Sequence, residues 1–189
     1  MIGNMKARLV NAKLSFVGAA ARRLVRQQDG AAAVEFAMVA APFLAMVFAI
    51  METALVFFAG QALETAATDS ARLIMTGQAQ TQGYDAAKYK EAVCGKIYGL
   101  FSCMEGLYVD VKTYQNFSNI NNSQKPIDAN GNLQTGDFGY QPGGPGDIVV
   151  VRMFYQWPVY VSLLGLNLSD ISGGKRLLMS TVAFRNEPY

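Results

Sequence analysis

The sequence predicts an α+β fold in which one long N-terminal helix packs on a small antiparallel sheet. Three observations predict it. An alanine-rich apolar run from Ala31 to Ala59 passes without a break into an amphipathic stretch that stops at Gly77. Beyond it lie three segments with the alternation or β-branching of strands. A long stretch rich in Asn, Gly, Gln and Pro separates the first two of these strands, so they are joined by a loop and not by a second long helix.

The chain has 189 residues, of which 51% are hydrophobic and 16% charged, with a net charge of +2. That composition suits one membrane segment and one modest globular domain. The charge is unevenly placed. Lys6, Arg8, Lys13, Arg22, Arg23 and Arg26 precede the apolar run, with Asp29 the acid among them. Basic residues are retained on the cytoplasmic side of a membrane, so residues 1–30 read as a basic cytoplasmic leader. Residues 31–59 then read as a transmembrane helix, and residues 60–189 as an α+β domain outside the cytoplasm. Membrane topology accounts for the basic cluster, and no nucleic-acid partner is expected. A secretory signal has a shorter apolar core than this run, and a mitochondrial presequence would not explain the span behind it.

As a helix, Ala31 to Ala59 would rise about 43 Å, more than the roughly 30 Å of a bilayer core. Pro42 should loosen one turn, which a packed membrane helix tolerates. Ala33, Ala37, Ala41, Ala45 and Ala49, then Thr53, recur at every fourth position. Such a ridge of small side chains lets a second helix approach closely. Because this spacing overshoots a turn, the ridge winds round the helix and one partner meets only part of it. Glu35 lies near the start of the run, where a carboxylate costs about 3 kcal/mol or more if it stays ionised in the bilayer core. It can be tolerated at the interface, or it can pair with a cation from another chain. Glu52 lies near the outer boundary, where it is either solvated or paired with a basic residue of a partner.

The helical pattern continues past the run. Ala59, Leu63, Ala66, Ser70, Leu73 and Ile74 form one small or apolar stripe, while Gln61, Glu64, Thr68, Asp69 and Arg72 face elsewhere. Gly77 is the expected stop, giving one helix from about Ala31 to Thr76. Tyr84 to about Leu100 is a second helix candidate. Leu107–Thr113, Asp147–Trp157 and Leu177–Phe184 are the strands, the middle one central because it is β-branched and aromatic throughout. The connecting loop covers residues 116–146, a length usually found in functional or disordered segments.

Cys94 and Cys103 would stand about 13 Å apart on opposite faces if one helix joined them, too far to bridge. If the helix ends near Gly99 the chain can turn back, and a disulfide is then expected in an oxidising compartment. Closing so short a loop stabilises by roughly 2.7 kcal/mol in the chain-entropy model. The spacing fits neither a redox nor a zinc site.

No enzyme is expected. The chain has no His, which removes Ser–His and Cys–His nucleophiles and imidazole metal ligands. Nucleotide-binding glycine motifs are absent. Asp128–Asp137 has the acidic and Asn content of a calcium loop, but Leu133 occupies the place of its glycine, so a turn-rich loop is the better reading. Neither a cofactor nor a metal is expected.

The string RQQDG-AAAVEFAMVAAPFLAMVFAIMETALVFFAGQALETAATDSARL resembles the N-terminal signature of TadE-like proteins of the tight-adherence (Flp) branch of type IV pilus systems. The likeness rests on the Gly30–Phe36 junction, the small residues around Pro42, Glu52, the Ala67–Arg72 segment and the C-terminal FRNEPY. The resemblance implies a pilin-like arrangement and a prepilin peptidase cut between Gly30 and Ala31. Glu35 becomes the fifth residue of the mature chain, available to pair with a neighbour's N-terminal amine. Subunit packing is then expected to use Glu35, Phe36, Ala33, Ala37, Ala41, Ala45, Ala49 and Glu52. The implied function is that of a minor pseudopilin or membrane-anchored assembly factor, in the bacterial inner membrane with a periplasmic domain. Its implied partners are other pilin-like subunits, the inner-membrane assembly platform, the peptidase and membrane lipid. The alternative is a signal-anchored periplasmic binding module or enzyme with a passive, uncleaved anchor.

Overall fold

The computed structural model describes residues 30–97, 99, 102–120, 125–160 and 167–189. The expected basic leader, apart from Gly30, lies outside them. The chain divides into two units, Met1–Val47 and Phe48–Tyr189.

Helix α1 spans Ala31–Met75, 45 residues, and runs through Pro42 without interruption. Alanine has the best helix propensity, and hydroxyls along the helix are absorbed by its own backbone. Thr53, Thr68, Ser70 and Thr76 each donate to the carbonyl four residues back. At the C-terminus Gly77, with φ 75°, turns the chain, and its N–H returns to the Ile74 carbonyl at 3.0 Å. The stop therefore falls where the sequence places it.

Four residues, Gln78–Thr81, form a short α2. Helix α3, Ala86–Cys94, starts at Asp85, whose carboxylate accepts from the Lys88 N–H at 2.8 Å. It is shorter than the Tyr84–Leu100 expected from sequence. It stops at Cys94 because the chain must reverse to bring Cys103, at the head of the four-residue α4 (Cys103–Gly106), within reach. The two cysteines form a disulfide, with their Cα atoms 5.6 Å apart.

Strands β1 (Leu107–Tyr114), β2 (Ile148–Pro158) and β3 (Lys175–Arg185) form one antiparallel sheet in that order, with β2 central. The register aligns Val111 with Val151 and Val151 with Val182. On one face Leu107, Val111, Val149, Val151, Met153, Tyr155 and Leu178 meet Val56, Ala59, Leu63, Ala66, Ala67, Ala71 and Ile74 of α1 in a single core. Burying a leucine as completely as Leu63 contributes about 1.5–3 kcal/mol, and the alanines beside it let the helix backbone lie close to the strands.

The second sheet face is covered as well, by the long loop. Phe138 stacks on Phe154 with ring centroids 5.1 Å apart, and Ile127 and Leu133 pack beside them with Ile171 and Leu177. Gly139 and Gln141 bracket Val111 with backbone hydrogen bonds of 2.8 and 2.9 Å, closing part of the open edge of β1. Under this loop Asp110 is fully buried. Arg152, its register partner, donates to its carboxylate through Nε at 3.1 Å and through Nη2, and the Gly139 N–H donates at 2.9 Å. Removing one member of such a pair strands a charge and costs about 3–5 kcal/mol. The described part of the loop is thus a packed layer.

The C-terminal FRNEPY is a clip. Asn186 is buried, and its Nδ2 donates to the Pro142 and Gly144 carbonyls, both at 2.9 Å. The Glu187 N–H donates to the Met75 carbonyl at 2.8 Å, satisfying an acceptor at the end of α1. A side chain added at Gly77 would meet the Tyr189 ring at 2.3 Å. Gln80 joins the same knot, donating to Ile74 and Pro142 carbonyls at 3.2 and 3.0 Å.

Asn186→Ala should lower stability by about 2 kcal/mol, because the Gly144 carbonyl loses its side-chain donor and the Pro142 carbonyl keeps only Gln80; urea unfolding of the full chain in detergent measures it. The loop also carries a pH signature. Asp128 is held below the usual carboxylate range, first by the Asn132 N–H, with Asn130 and Gln134 adding to it. Burial would raise Asp170, but Lys125 and the Leu177 N–H outweigh it and the net shift is also downward. Carboxylates with lowered folded values contribute stability that is full above their unfolded value and is lost as the pH falls through the folded one. Unfolding midpoints should therefore be level near neutrality and fall below about pH 4, the unfolded value of an aspartate.

Candidate functional site

The outer surface of α1 is the chain's most unusual feature. From Val34 to Phe48 its large apolar side chains are exposed except for the half-buried Val47, with Phe36 at 74% and Val39 at 70%. Ala31–Met75 is the one described helix long and apolar enough to cross a membrane, and it fits a membrane anchor. Burial begins at Ala49 and continues through Glu52, Val56 and Ala59. On the opposite side of these same turns Met51, Leu55, Phe57 and Phe58 stay exposed. Helix α1 is thus covered by its own domain on one side while remaining apolar on the other.

The residues singled out from sequence fall into two groups. Gly30 immediately precedes α1 and Ala31 is its first residue. Ala33, Glu35, Phe36, Ala37 and Ala41 are all exposed, and Ala45 is half-buried. Ala49 and Glu52, by contrast, are buried at 6% exposure each. The alanine ridge does wind round the helix as its spacing requires, and its last members turn inward.

Glu52, for which the sequence left solvation or a partner's basic residue open, is buried within its own domain. It accepts a hydrogen bond from the backbone N–H of Tyr160, just past the end of β2. A charge inside an apolar run is tolerable when fixed donors replace water, and the chain supplies one itself. The hydrogen bond ties the Tyr160 backbone to the helix, while its side chain is 82% exposed. Sequence reading did not single out Tyr160, because nothing local marks a backbone amide as the partner of a distant carboxylate. Arg152 was legible in principle, as a lone cation within IVVVRMFYQW.

A cavity of about 170 Å³ opens along the C-terminal side of this zone. Its walls are Thr53, Val56, Phe57, Gly60 and Gln61 of α1 with Leu168, Arg176 and Leu178. Elsewhere the polar groups serve the fold. Tyr89 and Tyr140 lie with ring centroids 5.4 Å apart; burial pushes the Tyr89 phenol far up and Tyr140 to about 12, so both stay neutral at physiological pH. The Asp128 carboxylate is occupied by its own turn, accepting from the Asn130 and Asn132 N–H groups at 2.9 and 2.7 Å, which supports the turn reading over a calcium loop. No cluster of metal-ligating side chains occurs among the described residues.

Residues 30–72 match the family model described as TadE-like protein. This segment is similar to TadE-like proteins. The match begins at the glycine before α1 and ends within its last turn, so it follows a structural element and suggests involvement in the Tad pilus system. No curated protein and no solved structure matches the chain.

Glu52→Ala should free the Tyr160 amide, and Glu52→Gln should preserve its acceptor. Hydrogen exchange read at Tyr160 is expected to rise severalfold in the alanine variant and to remain near wild type in the glutamine one.

Proposed function

We propose that this TadE-like chain is a minor pseudopilin or membrane-anchored assembly factor of a Tad/Flp pilus, acting by helix–helix association in the membrane. The observation that carries the reading is the exposed apolar surface of α1 between Ala31 and Phe48, lying within the family match. In water such a surface is costly to leave open; lipid and neighbouring helices are the surroundings that suit it. Ala33, Ala37 and Ala41 offer the place of closest approach, because they are small and exposed. Other pilin-like subunits and the inner-membrane assembly platform are the partners that fit.

In this mechanism the basic leader keeps residues 1–30 cytoplasmic, and a prepilin peptidase cuts between Gly30 and Ala31. The new amine of one chain is neutralised by Glu35 of another, which removes two charges from the apolar layer together. Ala31 being the first residue of α1 supports this, since the amine would then sit at the helix end with Glu35 one turn along. The domain beyond the apolar segment faces the periplasm and contacts partners through its outer surface. No chemical step is assigned to it.

The N-terminus and intact mass of chain extracted from its native membrane test the first step. Ala31 is the expected start; a chain that keeps its leader removes the amine pairing and leaves a permanently anchored factor. Ala37→Leu and Ala41→Leu test the second, since both residues are exposed on α1. Copurification of pilin-like subunits should fall at least tenfold, the loss of roughly 1.4 kcal/mol of helix packing, while the fold is unchanged. Undiminished association would favour a passive anchor.

A further inference from the structure

We propose that the cavity between α1 and the start of β3 is a binding site for one anionic phospholipid, with Arg176 as the phosphate ligand. The inference rests on the reading of α1 as a membrane helix, and it assigns the periplasmic domain a lipid-dependent seat.

The cavity has a direction. Thr53, Val56 and Phe57 line the part nearer the apolar run, and Gly60 and Gln61 the part where that run ends. Its walls beyond the helix are Leu168 and Leu178, with Arg176 among them. An apolar floor with a cationic and amide rim is the complement of an acyl chain joined to a phosphate. The apolar part also lies toward the membrane end of the helix, as a lipid would require.

Arg176 is half-buried, and its Nη1 donates to the Leu168 carbonyl at 3.2 Å. A guanidinium has five N–H donors in a planar fork, so most of them remain for a phosphate. Asp170, which Arg176 influences electrostatically, has its carboxylate taken up by Lys125 at 2.6 Å and the Leu177 N–H at 2.7 Å. Lys175, the next residue along β3, points to the other sheet face and donates to Gln156 Oε1 at 3.3 Å, so Arg176 is the cation of the cavity wall.

The surroundings are continuous with a lipid-facing surface. Phe57, which lines the cavity, is 69% exposed, and Phe58 and Leu55 beside it are 58% and 49% exposed. The Glu52 hydrogen bond to the Tyr160 N–H ties the β2–β3 connection to the helix inside the apolar run. Tyr160, an interfacial type of side chain, therefore stands exposed at that level. Basic and aromatic residues on one edge, at the end of an apolar helix, match the headgroup layer of an anionic membrane.

The test uses the full chain in nanodiscs made of equal phosphatidylglycerol and phosphatidylcholine, extracted in mild detergent, with retained lipid counted by native mass spectrometry. Phosphatidylglycerol should be retained over phosphatidylcholine by about tenfold, in keeping with a charge-assisted contact. Arg176→Gln should abolish that preference. Gly60→Leu should eject the lipid by filling the cavity, and since nothing lies within 4 Å of a Cβ at Gly60 and leucine favours helix, the fold should hold. Equal retention of both lipids, or a preference unaltered in both variants, overturns the proposal. An alkaline wash of native membranes separates its failure from that of the underlying reading. A chain released into solution sinks the membrane helix itself, whereas a chain that stays behind without lipid preference sinks the lipid site alone.

Discussion

The stripe of small and aliphatic residues that runs along α1 from Ala49 to Ile74 has to press against one face of a three-stranded sheet, and most other features of the domain follow from that contact. Alanines at 59, 66, 67 and 71 bring the helix axis close to the strands, while Leu63 and Ile74 fill the space between. A helix held so closely needs its C-terminus fixed, which Gly77, Gln80 and the C-terminal clip accomplish together. The same helix begins this contact before its apolar outer surface ends. Over the turns from Ala49 to Ala59 it therefore meets its own sheet on one side and exposes apolar side chains on the other.

That overlap gives the two carboxylates of the apolar run different work. Glu52 is buried and receives the Tyr160 N–H, so it belongs to the internal architecture and sets where the β2–β3 connection meets the helix. Glu35 is exposed near the start of α1, and no part of its own sheet pairs with it among the described residues. A buried carboxylate needs preorganised donors, and an exposed one in an apolar layer needs an external cation. The alanine ridge divides in the same way, its early members outward and Ala49 inward.

The long connection between β1 and β2 shows why length and polarity alone say little about order. Its Asn and Asp residues fold it locally, as at Asp128, and its few apolar residues, Ile127, Leu133 and Phe138, are enough to fasten it over the second sheet face. Once in place it shields the Asp110–Arg152 pair and occupies part of the edge of β1. A sheet of three strands has two faces to protect, and here a helix takes one and a loop takes the other.

The sequence by itself determined the fold class, the bounds of the long helix, the three strands with β2 central, the disulfide and the TadE-like segment. Each of these is written in local patterns: a period of 3.6 or 2, a glycine stop, a run of apolar residues, a spacing of cysteines. The early end of α3 was partly legible, since Gly95 and Gly99 weaken the helix there and Gly95 caps it, while the reversal toward Cys103 is a matter of disulfide closure. Likewise the inward turn of Ala49 and Glu52, the Tyr160 amide as the carboxylate's partner and the role of FRNEPY were decided only by tertiary structure. These depend on contacts between residues far apart in the chain, Glu52 with Tyr160 and Asn186 with Pro142. Periodicity reports which side of an element is apolar; which neighbour covers that side is settled only when the chain closes on itself.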